Sequence, residues 1–478
     1  MTKLNAAAAF GAALALLATP LMSHGQAAAP GELRPDQVKF RALYKELVET
    51  NTSLSVGDCT LAAKRMAAHL TAAGYPDSDI VIFTAPGHPK EGGLVARLPG
   101  KDPKQKAVLL LAHLDVVEAK REDWARDPFT LIEENGYFYA RGASDDKSMA
   151  SIWVDTLVRL KEEHYQPKRT IKMALTCGEE TSGAFNGAEY LATQKHDLID
   201  AAFAINEGGG GQLGPDGKPV FMGIQVGEKL SQNYNLDVTN PGGHSSRPVP
   251  DNAIYHLAGG LIRLSQYHFP VTFSDTTRAF FTKLAAIRGG EDGAAMLALV
   301  KDPADAKATA LLEKNPNYNA ILHTNCVATL LQAGHATNAL PQHAQANVNC
   351  RIFPGESVEA VRQKLETIVA DPQIKVSIRD VRSTASPPPP LDKAVLDPAE
   401  KLASKMWPGV PNLLIMSSGA TDGAFLTPNG IPTYGISGKF GDADGGGVHG
   451  LNERIRVKSL YDSRDYLFQL VKIYAPAK

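Results

Sequence analysis

At 478 residues the chain is too long for one ordinary hydrophobic core and implies two or three domains. Its 49 basic and 51 acidic side chains leave a formal charge of −2. No lysine- or arginine-dense run stands out, which excludes nucleic acid as an expected partner.

The first 29 residues stand apart. Lys3 gives a positive start, Ala6 to Leu17 is almost unbroken apolar sequence, and Gln26-Ala27-Ala28-Ala29 supplies small residues. That order reads as a secretory signal peptide, too short to span a membrane. The mature protein is expected to be exported, periplasmic or secreted, with no membrane span. Four cysteines in such a chain invite a disulfide argument. Cys326 and Cys350 flank an expected hairpin with its turn near Asn338, so their strands could bring them together. Bridges between adjacent strands are uncommon, and this pairing stays open. Cys59 and Cys177 read as buried thiols, and the absence of a CxxC spacing argues against a structural zinc.

Phe40 to Val48 and Thr60 to Ala73 follow as amphipathic helices, the second capped by Asp58 or Thr60. Gly93 to Leu98 reads as a short strand. Ala107 to Ala112 is continuously apolar, as expected of a central strand covered on both faces. Leu131 to Arg141 carries an Asn135-Gly136 turn and reads as a hairpin. Ala150 to Glu163 is a helix, and Thr170 to Thr176 and Ala202 to Ile205 are further strands. This alternation predicts an α/β domain with a central mixed sheet between helices.

Near Gly227 the pattern changes. Leu230 to Val238 (strand), Asp251 to Gln266 (helix), His323 to Gln332 with Ala344 to Phe353 (hairpin), Ser357 to Ala370 (helix) and Ile374 to Arg379 (strand) follow one another. That β-α-β-β-α-β order predicts a ferredoxin-like α+β lid. A mainly helical insertion occupies residues 269–319. The rigid Pro387–Pro390 stretch marks the return to the first domain, and the remainder supplies a helix, a strand at Pro432 to Ser437 and a loop bearing His449. The expected division is 30–228 and 384–478 for the catalytic domain and 229–383 for the lid.

The chemistry lies in the acidic residues and histidines. His113 and Asp115 follow the Ala107–Ala112 strand, Asp145 follows the Tyr137–Arg141 segment, Glu179 and Glu180 follow Thr170–Thr176, and Glu207 follows Ala202–Ile205. Ligands in open α/β sheets collect beyond the carboxyl ends of the strands. A mixture of carboxylate and imidazole suits zinc, cobalt or manganese. In an HxD pair, His113 can ligate while Asp115 orients its ring. Asp145 is the best candidate to bridge two ions, and of the adjacent glutamates one suits a ligand and the other a general base. Alone, Glu179-Glu180 would read equally well as a charged helix start.

His113-Leu114-Asp115, Arg141-Gly142-Ala143-Ser144-Asp145-Asp146-Lys147, Gly178-Glu179-Glu180, Asn206-Glu207-Gly208 and Gly242-Gly243-His244-Ser245-Ser246 resemble the motifs of the co-catalytic di-zinc metallopeptidases. That family includes glutamate carboxypeptidase, carboxypeptidase S, the aminoacylases and succinyl-diaminopimelate desuccinylase, and the resemblance covers nearly the whole mature chain. It implies that His113, Asp145 and Glu207 hold one zinc, and Asp145, Glu180 and His449 the other. It also implies Glu179 as general base, Asp115 as orienting carboxylate, and a cis peptide after Asp145. His244 is implied to stabilise the oxyanion from the lid, often at a partner subunit's site, and dimerisation through the lid is implied with it. Asn338 and Arg351 are implied to lie near a substrate carboxylate, with Thr421 and Asp422 lining the pocket. Trp124 with Asp127-Pro128-Phe129 resembles a packing segment. Two residues depart from the pattern: Asn206 stands where aspartate is frequent, and Asp146 where methionine or asparagine is common.

The expected activity is hydrolysis of the amide next to a C-terminal amino acid of a short peptide, by water that two metal ions acidify and Glu179 deprotonates. The nearest alternative is an aminoacylase acting on N-acyl amino acids. A remote one is a non-catalytic binding protein, which would ordinarily have lost a ligand or the base.

Overall fold

The apolar run at 107–112 becomes the strand Val108–His113, buried along its whole length. It runs parallel to both Ile171–Thr176 and Phe203–Asn206, with Val108 opposite Ile171 on one side and Phe203 on the other. Alternate side chains feed two cores. Val108, Leu110 and Ala112 join helices Pro35–Val48, Cys59–Ala72, Lys147–Glu162 and Val457–Tyr474. Leu109 and Leu111 join Gly187–Gln194 and Gly423–Leu426. Covering both faces in this way is what a parallel sheet requires. The computed structural model describes residues 33–181, 185–379 and 386–477. The expected signal peptide, residues 1–29, and the expected lid boundary at 383 lie outside them.

The sheet has ten strands and is mixed, since antiparallel strands extend the parallel centre. Ile80–Ala85 and His88–Leu98 pair at one edge, and Gly210–Leu213 and Pro219–Glu228 lie toward the other. Asp58 caps helix Cys59–Ala72 by accepting from the Leu61 N–H. The hairpin of Ile132–Glu134 and Tyr137–Tyr139 turns at Asn135 and Gly136, both with positive φ (52° and 79°), the geometry that favours Asn-Gly. Arg454–Arg456 adds a third strand to it.

The lid is a four-stranded antiparallel sheet in the order Asn325–Ala333, His343–Ile352, Leu230–Thr239, Lys375–Arg379. One face buries Tyr234, Leu236, Val348 and Ile352 against helices Ala253–Ser265 and Val358–Val369. Four helices between Asp275 and Leu322 form the insertion. They have their own core of Phe280, Phe281, Leu284, Met296 and Leu299, and this closes over Leu413 of the main-sheet strand Asn412–Ser417. The insertion therefore packs back onto the catalytic sheet.

The cysteines correct one expectation. Cys59 and Cys177 are a disulfide and not free thiols, and Cys326 and Cys350, directly opposite in register, form a second. The first joins residues 118 apart, the start of a helix to the end of a parallel strand, a proximity that only the tertiary fold creates. Among the described residues no helix is long and apolar enough to cross a membrane.

Candidate active site

Three parallel strands end on one side of the sheet, and each delivers acidic or imidazole side chains there. His113 is the last residue of its strand, Glu179 and Glu180 follow Ile171–Thr176, and Glu207 follows Phe203–Asn206. Asp145 arrives on the turn before helix Lys147–Glu162, and its peptide to Asp146 is cis. His449 comes from the glycine-rich loop with a positive φ of 58°, a conformation that non-glycine residues adopt rarely and often at functional sites.

The two oxygens of Asp145 face different histidines. Oδ1 lies 3.1 Å from His113 Nε2, and Oδ2 lies 3.3 Å from His449 Nε2. Glu207 approaches His113 at 3.7 Å, and Glu180 approaches His449 at 2.9 Å. His113, Asp145 and Glu180 offer ligand atoms within 4.8 Å of one another, as do His113, Asp146 and Glu207. His113 and Glu180 are buried at the floor, while His449 stands at the open side with 56% of its side chain exposed.

The orienting contact of Asp115 differs from the sequence expectation. His113 Nδ1 lies 3.0 Å from the Asp115 backbone oxygen and 3.6 Å from its carboxylate. The carboxylate instead accepts the backbone N–H groups of Glu179 (3.3 Å) and Glu180 (2.9 Å). Asp115 thus braces the turn carrying both glutamates as well as the histidine. Gly178 at the start of that turn has φ +99°, and a Cβ there would meet the Phe185 carbonyl oxygen at 1.9 Å, so only glycine fits.

The electrostatics are those of surplus negative charge. Burial raises the pKa of Glu179, with Glu207 adding to it, and burial raises those of Glu180, Glu207 and Asp146 in the same way. For His113 burial opposes the charged form, yet Glu207, Asp115 and Asp145 outweigh it and hold the pKa well above the ordinary value. Hydrogen bonds to Asp145 and Glu180 push His449 up to about 10. Acids that resist losing protons and imidazoles that keep them form a cluster that divalent cations would neutralise. Hard oxygens, two imidazoles and the split Asp145 carboxylate fit a pair of such ions.

The remaining expected residues divide. Arg351 lies on the lid, where burial lowers its pKa and the charge of Glu179 works against that, so it is within electrostatic reach of the cluster. Thr421 Oγ1 donates to Glu228 Oε2 at 2.8 Å beside Glu207. His244 and Asn338 meet each other on a short exposed arm, where Ser245 N–H donates to the Asn338 carbonyl. Among the described residues no hydrogen bond or ion pair joins that arm to the cluster.

Several buried groups went unassigned in the sequence. Asp146 is fully buried, and its Oδ1 lies 3.4 Å from Lys439 Nζ. Asp422, noted only as pocket lining, accepts from Thr176 Oγ1 and Asn186 Nδ2 beneath the site. Glu228 is raised to about 8 by burial. It shares a small cavity of about 20 Å³ with Asn206 and Glu207. A larger cavity of about 340 Å³ opens on the other side of Glu207, lined by Asp145, Lys439, Phe440 and Arg454. Asp146 and Asp422 stand in recognisable motifs that give them no role, while Glu228 and Lys439 are single polar residues with no distinguishing pattern in the sequence.

A ferredoxin-like lid inserted in an α/β domain, with a carboxylate–imidazole cluster beyond the parallel strands, defines a metal-dependent amide hydrolase of the metallopeptidase class. The chain belongs to peptidase family M20/M25/M40, whose model matches residues 109–473. It is 31% identical over 390 residues to the N-fatty-acyl-amino acid synthase/hydrolase PM20D1 of Homo sapiens, covering 78% of this chain and 75% of the relative. An M20 family metallo-carboxypeptidase from Sulfolobus solfataricus superposes with a TM-score of 0.67 at 19% identity, over 92% of this chain and 99% of that one. The Bacillus subtilis YXEP protein, described as a dinuclear metal-binding M20 peptidase, gives 0.57 at 13% identity, over 93% and 99%. At such identities the structural likeness speaks for the fold alone.

Proposed function

We propose that this protein is an exported di-metal hydrolase that releases a free amino acid by cutting the amide bond on its nitrogen. The observation that carries the reading is the Asp145 carboxylate, whose two oxygens each face a different histidine, His113 and His449. His113, Asp145 and Glu207 would hold one ion, and Asp145, Glu180 and His449 the other, with zinc preferred and cobalt or manganese compatible. When bound, the ions supply Lewis acidity for the scissile carbonyl and acidify a water. Glu179 takes that water's proton on its carboxylate and returns it to the leaving amine. Asp115 fixes the His113 ring and the turn bearing Glu179. Arg351 grips the carboxylate of the departing amino acid through paired hydrogen bonds, with Thr421 at the pocket wall and Asn338 and His244 supplied by the lid.

The exposed arm of His244 supports a role completed by a second copy. The lid's edge strand, Asn325–Ala333, exposes Val327, Leu330 and Leu331, an unpaired apolar edge suited to a homodimer. Two disulfides support folding in an oxidising compartment outside the cytoplasm.

Peptides and N-acyl amino acids share this reaction and differ on the acyl side. The likeness to a fatty-acyl-amino acid hydrolase favours the second reading as a specific alternative. Leucine release from N-benzoyl-Gly-Leu, Gly-Leu, N-acetyl-Leu and a long-chain N-acyl-Leu, each with added zinc, tests both. Faster turnover of the peptides supports a carboxypeptidase or dipeptidase, faster turnover of the acyl-leucines an acylase, and release from none refutes the reaction class.

A further inference from the structure

One buried carboxylate connects the two loops that reach the cluster from opposite ends of the chain. Glu453 is 1% exposed. Its Oε1 accepts the backbone N–H groups of Ser144 (2.8 Å) and Asp145 (3.0 Å). Its Oε2 accepts the Gly142 N–H (3.0 Å) and Arg141 Nη1 (2.8 Å). Arg141 uses its other nitrogen, Nη2, to donate to the Gly450 carbonyl at 2.8 Å, next to His449. The Glu453 carbonyl accepts from the Ala140 N–H, and the strand Arg454–Arg456 that follows pairs with Tyr137–Tyr139. Strand pairing thus sets the position of Glu453, and Glu453 sets the 142–145 turn.

We infer that Glu453 is a positioning residue for both metal ions, holding the Asp145 turn and the His449 loop at a fixed separation. The inference rests on the proposed ligand roles of Asp145 and His449. Four donors converge on two carboxylate oxygens, and an ionised carboxylate can only accept. Glutamine is nearly the same shape but turns one acceptor into a donor, so it faces either the Ser144 and Asp145 pair or the Gly142 and Arg141 pair with like polarity. Groups that orient metal ligands in this way typically change affinity by about 10–100-fold when replaced.

The test compares the wild type with Glu453→Gln and His449→Ala. Zinc bound per chain is read by equilibrium dialysis, and amide hydrogen exchange is read on the metal-free proteins. Expected for Glu453→Gln is an at least tenfold loss in affinity for one or both ions. Exchange at Ser144 and Asp145 should accelerate at least tenfold, with the Val108–His113 strand unchanged. His449→Ala should weaken one ion without accelerating exchange at Ser144 and Asp145. Wild-type zinc binding by Glu453→Gln, or exchange that rises uniformly through the fold, would overturn the inference. Unchanged zinc binding by His449→Ala would instead overturn the ligand assignment beneath it. Should Glu453→Gln fail to fold, Glu453→Asp, which keeps the charge on a shorter arm, is read by the same two measurements.

Discussion

Opening the Cys59–Cys177 bridge should be the costlier of the two possible disulfide removals. The bridge closes a loop of 118 residues, against 24 for Cys326–Cys350. In the chain-entropy account, the long loop restrains the unfolded chain by about 5 kcal/mol and the short one by about 3.5 kcal/mol. The long bridge also acts locally, because Cys177 immediately precedes Gly178 and the turn bearing Glu179 and Glu180. The assay is equilibrium urea denaturation of Cys59→Ser/Cys177→Ser and Cys326→Ser/Cys350→Ser beside the wild type, with turnover measured on each. The first pair should lose about 1.5 kcal/mol more than the second and should also lose turnover. Equal losses, or a larger loss from the short bridge, would refute the reasoning.

Glu228 carries a pH signature. Its folded pKa is raised to about 8 by burial, so its stabilising contribution is complete below the ordinary glutamate range and is lost as pH rises through 8. Glu228→Gln should flatten the fall in stability between about pH 4.5 and 8, by up to roughly 1.4 kcal/mol per pH unit, as followed by denaturation at several pH values. Arg464 is fully buried and joins Asp155 (2.8 Å) to Asp36 (2.6 Å) across three helices. Arg464→Ala should cost about 3–5 kcal/mol in urea by leaving the buried Asp155 only the more distant Arg159 at 3.8 Å, and pairing Arg464→Met with Asp155→Leu should recover much of it. Removing metal with a chelator should abolish turnover and lower the melting temperature, and zinc should restore both.

What the sequence disclosed depended on where each residue's partners lie. Ala107–Ala112 announced a doubly covered strand because its neighbours are apolar on both faces, and residues just beyond such strands necessarily share one side of the sheet. That topological rule alone gathers His113, Glu179, Glu180 and Glu207 on one side of the sheet. The Asn135-Gly136 turn was legible for a local reason, the left-handed backbone it needs. Pro219–Glu228 and Asn412–Ser417 were missed. Among the described residues Asn412–Ser417 pairs only with the distant Pro219–Glu228, and although Pro219–Glu228 forms a hairpin with Gly210–Leu213, Gly223 and Gln225 interrupt its apolar pattern. The Cys59–Cys177 bridge spans two elements that meet only in the tertiary fold. Glu453 left no trace because its partners are mainly backbone N–H groups, which every sequence possesses. The His-x-Asp spacing pairs Asp115 with His113, but its carboxylate also braces the Glu179 turn through backbone N–H groups, which no sequence pattern marks.

The most direct test of the central claim is turnover of N-acyl-leucine and peptidyl-leucine substrates by wild type and Glu179→Gln, each with its bound zinc counted in the same sample. The account predicts two ions per chain in both proteins and a loss of turnover of at least about 100-fold in the variant, the contribution expected of a general base. Full turnover by a variant that retains both ions would contradict it.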